Sequence, residues 1–431
     1  MQLNIEKLVY GGDGLARLPA DEQGRRKTVF VPFVLEEETV EAELVEQKRG
    51  FARARATAIL KSSSSRVEAD CPYFTRCGGC HYQQAGYAHQ LEIKAAILKE
   101  NLRRIAKLEL AAELQIHPSP PWGYRNRTRV KIQSAPTFAL GYYRLGSHDL
   151  LPIEQCPISS PLINQTITAL WQVGKAGKID TEIQDIEIFT ADEERLLIEL
   201  HCAEAASRSA LRQVAEAMKS ALPQAEGVVV FRNSTATHSA VEPKAIVTVG
   251  TGFLTCKIGE HAYRVTAGAF FQVNRHLTNK LVQIVTENSI GGMALDLYAG
   301  VGLFSTALAR SFAQVVAVEP SPISFGDLAY NSPQNVKAIR ATTDQFLKTE
   351  AAGLRPDLIV VDPPRSGLGE STVRQVAKLN SPRITYVSCD PATLSRDLIG
   401  FLEQGYRIEQ AHLLDLFPQT FHLESVLQLV R

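Results

Sequence analysis

The chain has 431 residues, 46 basic and 46 acidic side chains and a hydrophobic content of 45%. The balanced charge excludes a protein that coats nucleic acid by bulk charge, and the composition is that of an ordinary globular chain. No run approaches the ~18 apolar residues of a membrane helix, no signal peptide is visible, and seven cysteines are an odd count for a disulfide scaffold. We expect a cytoplasmic protein of about three domains with thiol chemistry or metal binding.

Residues 1–60 predict a small β-barrel, because short β-rich runs alternate with glycine-containing and charged turns. The runs are IEKLVYG, TVFVPFV, TVEAELVEQ and FARARATAIL. Phe51 lies in this segment among four cations, Lys48, Arg49, Arg53 and Arg55. A ring among cations favours a polyanionic partner. The polar stretch 61–66 then predicts a linker.

Four cysteines after this linker form a pattern that indicates a metal site: Cys71, Cys77, Cys80 and the distant Cys156. Four thiolates suit tetrahedral zinc as well as an iron–sulfur cluster, and proline follows the first and the last, as in ferredoxin-type ligation. The spacing differs from the CxxxCxxC of radical enzymes, so we expect a structural or RNA-positioning role. The other two cysteines outside the catalytic motifs, Cys202 and Cys256, have no such neighbours and are predicted to be core residues.

Residues 61–260 predict a central α+β domain, with strands, two helix-like stretches and a further helix at about 91–108. That helix is amphipathic enough to pack on the catalytic domain. Four cations alternate here and would share one face of a strand: Arg125, Arg127, Arg129 and Lys131. A solvated sheet face explains one such stripe equally well, but two basic patches favour a polyanion.

From about residue 290, short β-rich runs alternate with helical stretches, which predicts a doubly wound parallel sheet within a domain spanning 261–431. The runs MALDLY, QVVAVE, DLIVVD and ITYVSC each end at a polar or reactive residue. Strands at 406–414 and 424–430 are too close for a helical crossover and should pair antiparallel. Ligands bind at the carboxyl ends of strands in such sheets.

The first of these strand ends predicts a nucleoside site. Gly300 and Gly302 in DLYAGVG let the backbone approach a ligand, and Glu319 ends the next strand, where a carboxylate can bind ribose hydroxyls. The third glycine of a dinucleotide fingerprint is missing. A nucleoside without a diphosphate fits better, which points to S-adenosylmethionine.

The run Asp362-Pro363-Pro364-Arg365 ends the DLIVVD strand, and its prolines stiffen the exit of the chain from the sheet. Taken alone, it fits a rigid connection as well as a functional loop. Enzymes that methylate exocyclic amino groups carry a similar motif with an aromatic residue in the last place. Arg365 argues against that chemistry.

Two further strand ends supply a thiol and a carboxylate. Cys389 precedes Asp390-Pro391, a cap and first helical position, so it should lie at a helix N-terminus, where a thiolate is favoured. Glu424 begins the last strand among apolar residues, and burial would raise its pKa toward that of a useful base. Carbon 5 of uracil becomes nucleophilic only after a thiolate adds to carbon 6, and a base must later remove the carbon 5 proton. Cys389 and Glu424 fit these two roles.

With these motifs the chain resembles the TRAM-domain, iron–sulfur family of RNA uracil-5-methyltransferases, of the type that modifies 23S ribosomal RNA. GGDGLAR, VFVPF and RGFARARA resemble the TRAM barrel, and CPYFTRCGGCHYQQ and LGSHDLLPIEQCPI resemble the cluster segments. FFQVN, DLYAGVGLF, VDPPRSGL, VSCDPATLSRD and FPQTFHLESV resemble the catalytic half. The resemblance covers nearly the whole chain.

The resemblance implies Cys389 as nucleophile, Glu424 as base and a [4Fe-4S] cluster, in preference to zinc, on the four cysteines. It also implies contacts to S-adenosylmethionine, besides the two loop glycines, from Gln272, Tyr298, Glu319, Asp344 and Asp362. We further assign RNA contacts to Phe51, Arg125, Arg127, Arg129, Lys131 and Arg365. The chain departs from the family at three positions: Asp390 stands where Asn is usual, Leu303 where Asn is frequent, and Ala299 where Cys is frequent.

The family leaves several substrates open. The same chemistry would serve a tRNA uridine, and archaeal-type tRNA enzymes keep both the barrel and the cluster. A cytosine-5 methyltransferase is disfavoured because such RNA enzymes place a cysteine where this chain has Arg365. A metal-binding RNA-binding protein with a degenerate methyltransferase domain is disfavoured by the intact catalytic motifs. We expect a monomer that acts on RNA and has no membrane partner.

Overall fold

A computed structural model describes residues 1–20, 22–179, 182–203, 207–232 and 244–431. It contains three main sheets, one for each predicted part of the chain. No helix in these ranges combines the length and the apolar character needed to cross a membrane.

The N-terminal sheet has the spatial order β1-β5-β6-β4-β3-β2. Its strands are β1 (Gln2–Asn4), β2 (Lys7–Leu8), β3 (Asp13–Arg17), β4 (Thr28–Pro32), β5 (Thr39–Gln47) and β6 (Phe51–Lys61). Alternate residues of β4 and β5, among them Val29, Val31 and Val40, face a small apolar core. The sequence segments that form β4, β5 and β6 were predicted to be strands. Strand β3 was not, because Asp and Gly are depleted in strands.

The central sheet has the order β10-β9-β8-β11-β12-β13-β14 and packs against two helices. Its strands are β8 (Arg127–Gln133), β9 (Ala139–Tyr143), β10 (Leu150–Pro152), β11 (Ile183–Thr190), β12 (Leu196–Cys202), β13 (Ala225–Arg232) and β14 (Ala245–Gly250). The helices are α2 (Pro161–Lys175) and α3 (Arg208–Ala221). Ser160 caps α2 and proline takes its first position, a combination typical of helix starts.

The catalytic sheet has the order β19-β18-β17-β20-β21-β23-β22-β7. Its strands are β7 (Leu114–His117), β17 (Gly291–Leu297), β18 (Phe312–Val318), β19 (Val336–Ile339), β20 (Leu358–Val361), β21 (Arg383–Ser388), β22 (Arg407–Leu414) and β23 (Glu424–Val430). The predicted parallel strands and the antiparallel pair β22–β23 are confirmed. Because the chain leaves β17 on one side and β20 on the other, a crevice opens at their carboxyl ends.

Helices and one hairpin cover this sheet. The helices are α4 (Thr278–Thr286), α5 (Leu303–Leu308), α6 (Pro322–Asn331), α7 (Thr343–Thr349), α8 (Glu370–Lys378) and α9 (Pro391–Glu403). The hairpin consists of β15 (Phe253–Ile258) and β16 (His261–Thr266). Its apolar side, including Leu254, Cys256 and Val265, belongs to the same core as the sheet. Cys202 and Cys256 are buried, as predicted.

Helix α1 (Tyr87–Arg104) lies earlier in the chain than the predicted 91–108. Lys107 has a φ of +53°, a left-handed conformation that no helix continues through. The helix packs against α9, and its Ile93, Ile97 and Leu98 share one core with the catalytic sheet. Strand β7 pairs parallel to β22 at the edge of that sheet. Residues assigned to the central domain in the prediction thus extend the catalytic layer.

Candidate active site and cysteine cavity

The loop after β17 has the backbone needed for a close ligand approach. Tyr298, Gly300 and Gly302 have φ angles of +65°, +56° and +91°. A Cβ on Gly302 would lie 2.9 Å from a methyl carbon of Leu328, so this turn requires glycine. The Gly300 N–H donates to the Glu319 carboxylate at 2.9 Å. The glycine loop after β17 is therefore held against Glu319 at the end of β18, and these are the two strand ends that the sequence predicted to form one site.

Four of the predicted donor-contact residues line one small cavity at the crevice: Gln272, Tyr298, Gly300 and Asp362. Leu303 and Ala299, two of the departures from the family, line the same cavity. Asp344 does not belong to it. Its carboxylate instead accepts hydrogen bonds from Lys348 of the same helix, α7, at 2.6 Å and from Gln375 of α8 at 3.3 Å.

Acidic groups accumulate below this cavity. Asp296 is fully buried and accepts a hydrogen bond from the Ser305 hydroxyl. Burial, opposed by that hydrogen bond, raises the pKa of Asp296 to about 7. Burial and the charge of Asp296 in turn raise the pKa of Asp362 above its ordinary value. This pocket therefore holds carboxylates that retain protons near neutral pH.

The register between β21 and β23 brings the nucleophile and base candidates together. The two strands are antiparallel with Ser388 opposite Ser425, so Cys389, which follows β21, comes opposite Glu424, the first residue of β23. Glu424 is only 5% exposed. Burial, followed by the charge of Asp362, raises the pKa of Glu424 well above its ordinary value. The predicted burial of Glu424 is confirmed.

The helix that follows Cys389 begins as predicted. Asp390 caps α9 by accepting from the N–H groups of Ala392 at 3.0 Å and Thr393 at 2.9 Å. The predicted thiolate, however, is wrong for the free protein. Burial raises the pKa of Cys389 to about 12, and the charges of Glu424, Asp362 and Asp390 add to it while Arg365 opposes them. Desolvation and three carboxylates outweigh one helix N-terminus, so the resting thiol is protonated at neutral pH.

Asp390→Asn should therefore make Cys389 more reactive. The amide still caps the helix but carries no charge, so the pKa of the thiol falls and the thiolate fraction at pH 7 rises. We expect alkylation of the Cys389 peptide by iodoacetamide, followed by mass spectrometry, to be roughly threefold to tenfold faster. In the unchanged protein the rate should climb tenfold per pH unit up to at least pH 9. A plateau below pH 8 would contradict the protonated resting thiol.

The N-terminal sheet contributes a residue that the sequence did not reveal. The Tyr10 hydroxyl donates to the Cys389 carbonyl oxygen at 3.0 Å, although the two residues are 379 positions apart. The Tyr10 ring lies edge-on to Phe421, 5.4 Å between centroids. Nearby, the exposed Arg365 approaches the ring of His422 at 3.4 Å. No local spacing could have linked Tyr10 to the catalytic half.

The four predicted metal-binding cysteines line one cavity of about 350 Å³ between the 71–80 loop and the central sheet: Cys71, Cys77, Cys80 and Cys156. Burial raises the pKa of Cys77 to about 11 and that of Cys80 to about 12, so a metal would have to displace their protons. Four thiol side chains that line one cavity suit a shared metal centre, either zinc or an iron–sulfur cluster.

Most of the predicted basic stripe is paired with acids. Strand β8 begins at Arg127, and Arg125 precedes it in an isolated bridge. Arg127 is 12% exposed at its side chain and lies 3.2 Å from Glu187, so an RNA contact of this residue stays a prediction that its burial and ion pair disfavour. Arg129 and Lys131 both pair with one aspartate on β11. Cross-strand acids neutralise the stripe, which the order of residues in β8 could not show.

The fold and the site define an S-adenosylmethionine-dependent methyltransferase: a doubly wound sheet with a glycine loop at its switch point and an acid at the next strand end. Residues 86–431 match the tRNA (uracil-5-)-methyltransferase family, and residues 1–57 match the TRAM domain. The chain belongs to this family of RNA-modifying enzymes, and the predicted resemblance to TRAM-domain RNA uracil-5-methyltransferases is confirmed.

Known proteins match the chain over its whole length. It is 33% identical to an uncharacterized RNA methyltransferase of Aquifex aeolicus, covering 99% of this chain and 97% of the other. A second uncharacterized RNA methyltransferase, from Thermotoga maritima, is 30% identical, with 100% and 99% covered. Among solved structures, the tRNA (uracil-54, C5)-methyltransferase of Pyrococcus abyssi, in complex with S-adenosyl-L-homocysteine, has a TM-score of 0.77 at 23% identity, with 100% of both chains covered. That likeness shows a shared fold.

Proposed function

We propose that this enzyme methylates carbon 5 of a specific uridine in 23S ribosomal RNA, before or during ribosome assembly in the cytoplasm, through a covalent bond from Cys389 to carbon 6. One observation carries the proposal: the β21–β23 register sets Cys389 opposite a buried Glu424. Asp362, which also lines the donor cavity, is close enough to raise the pKa of both groups. A methyl-donor cavity, a thiol and a base thus meet at one edge of the sheet.

The chain's own residues divide the proposed reaction into steps. S-adenosylmethionine supplies an electrophilic methyl group. Cys389 loses its proton to water, and its sulfur bonds carbon 6 while the carbon 5–carbon 6 electrons move to an enolate. Carbon 5 then takes the methyl group. Glu424 removes the carbon 5 proton, the double bond re-forms and the carbon–sulfur bond breaks, which releases the thiolate. The thiolate then takes a proton back from water, and Glu424 gives up its own proton to water.

A trap with 5-fluorouridine-substituted RNA tests this function, because fluorine on carbon 5 cannot leave as a proton. With donor present, we expect a covalent protein–RNA adduct on substituted 23S rRNA, and mapping the adduct identifies the uridine. The second candidate substrate is tRNA, favoured by the whole-chain likeness to the Pyrococcus abyssi enzyme. An adduct on tRNA alone would move the substrate and keep the chemistry. No adduct on either RNA, with donor binding shown by calorimetry, would contradict the covalent mechanism.

We propose further that the cysteine cavity holds a [4Fe-4S] cluster on Cys71, Cys77, Cys80 and Cys156. Its part is to tie the 71–80 loop to the central sheet, and no step of methyl transfer passes through it. Protein purified without oxygen should contain about four irons and four sulfides per chain and absorb in the visible range. Cys77→Ser should lose both signals and lower the melting temperature. One zinc per chain without sulfide would contradict the cluster.

We also propose that the enzyme is a monomer. Sedimentation velocity should give a single species near the chain mass of 47.4 kDa. A stable dimer at micromolar concentration would contradict this.

A further inference from the structure

A third cavity, distinct from the donor cavity and the cysteine cavity, opens between the N-terminal sheet and the segment that follows Cys80. Its volume is about 380 Å³. Aromatic rings and one cation contribute to its walls: Tyr10, Phe30, Phe33, His81 and Arg53. We call it the barrel cavity. Neither the proposed methyl transfer nor the cluster uses these walls.

Aromatic rings continue from the barrel cavity across the surface. Phe30 lies edge-on to Phe51, with 5.8 Å between ring centroids, and Phe33 lies edge-on to Phe74 at 5.2 Å. None of these four rings is fully buried. Partly exposed phenylalanines grouped on one surface form an apolar patch, a feature that marks interaction sites.

Two partly exposed cations lie beside these rings, and both also pair with Glu46. Arg53 lies 5.9 Å and Lys48 5.6 Å from the Phe51 ring centroid. Arg53 also donates to Asp13, another residue of the cavity wall, at 3.2 Å. Single-stranded RNA is recognised by this combination, with bases stacked on aromatic side chains and phosphates near cations.

The barrel cavity adjoins the proposed catalytic centre. Tyr10 is common to both, because its ring lines the cavity while its hydroxyl donates to the Cys389 carbonyl oxygen at 3.0 Å. His81, another wall residue, lies edge-on to Phe421 with 4.7 Å between ring centroids. Phe421 stands three residues before Glu424. A ligand in the cavity would thus lie one tyrosine side chain from the nucleophile.

We propose that the barrel cavity binds the base of a nucleotide next to the target uridine, stacked on the aromatic wall. The proposal rests on the proposed function, since the target uridine defines the neighbouring base. It assigns to the N-terminal sheet a part in choosing the RNA sequence around the target, beyond general attraction to phosphates.

The 5-fluorouridine adduct offers a test because it fixes the target at Cys389. The probe is the RNA fragment that forms the adduct, with 2-aminopurine in turn at each of the two positions on either side of the target. In the full-length enzyme, one position should lose fluorescence on adduct formation because its base stacks on protein rings. Phe30→Ala should restore that fluorescence and weaken RNA binding roughly fivefold to a hundredfold.

Two controls make the result specific. Phe253→Ala removes a 38% exposed phenylalanine outside the barrel cavity and should behave like the unchanged enzyme. Phe30→Leu keeps an apolar residue in β4 and removes only the flat ring, so it replaces Phe30→Ala if that variant unfolds. An adduct whose fluorescence is the same in the Phe30 variants and the unchanged enzyme at all four positions overturns the inference alone. Absence of any adduct overturns the proposed function, and the inference with it.

Discussion

Cys389→Ala should abolish uridine methylation, with a loss on the order of 10⁴-fold or more, as removal of a covalent nucleophile produces elsewhere. Without sulfur on carbon 6 no enolate forms, and carbon 5 cannot attack the methyl donor. The measurement is transfer of labelled methyl to RNA, with donor binding followed separately by calorimetry. The affinity for S-adenosylmethionine should differ no more than a few-fold from that of the unchanged enzyme, because Cys389 does not line the donor cavity.

Glu424→Gln distinguishes the base from the nucleophile. This variant should still bond carbon 6 and accept the methyl group, but the carbon 5 proton would remain. A protein–RNA adduct should therefore accumulate on ordinary uridine, visible as a retarded band on a denaturing gel. Cys256→Ala, a buried cysteine outside the site, is the matched control and should turn over normally. Full turnover by Glu424→Gln would show that another group removes the proton.

Lys94→Met should destabilise the protein by ~3–5 kcal/mol, because it strands a buried charge. The side chains of Lys94 and Asp415 have no exposed surface, and Nζ lies 2.6 Å from a carboxylate oxygen. The ammonium also donates to the Phe417 carbonyl oxygen at 2.9 Å. Thermal unfolding followed by circular dichroism measures the loss. Lys94→Met combined with Asp415→Leu should recover most of the stability, since it removes both charges.

Lys94→Met should also slow removal of the carbon 5 proton, the step assigned to Glu424. Residues 415–423 connect β22 to β23, and their backbone is fixed from outside the sheet. The N–H groups of His81 and Tyr82 both donate to the Gln419 carbonyl oxygen, at 2.8 Å and 3.0 Å. A loosened loop would misplace Glu424 and leave Cys389 in place, so adduct should build up relative to product. Unchanged stability and turnover in Lys94→Met would show that the Lys94–Asp415 pair neither stabilises the fold nor positions Glu424.

Local pattern was sufficient for the inner parallel strands of the catalytic sheet, although not for its edge strand β7. A parallel strand is covered by helices on both faces, so it appears in the sequence as a short apolar run, and its carboxyl end is where the polar residue follows. Glu319, Asp362 and Cys389 could be chosen in this way. The four cysteines could likewise be chosen as candidate metal ligands, because cysteines this close together in the sequence are typical of metal sites.

The tertiary structure decided what depends on neighbours distant in sequence. The pKa of Cys389 is set by burial and by the charges of Glu424 and Asp362. The capping pattern at the start of α9 gives no information about either of these. Arg127 pairs with Glu187 on the neighbouring strand β11 and with Glu199 on β12, which disfavours its predicted RNA contact. Tyr10 reaches the nucleophile only because the N-terminal sheet packs beside the catalytic one. Sequence alone thus determined the fold class of the catalytic half and the candidate groups at its strand ends, since these follow from local periodicity and residue type. Folding decided their charge states and partners, because electrostatics and desolvation act through space.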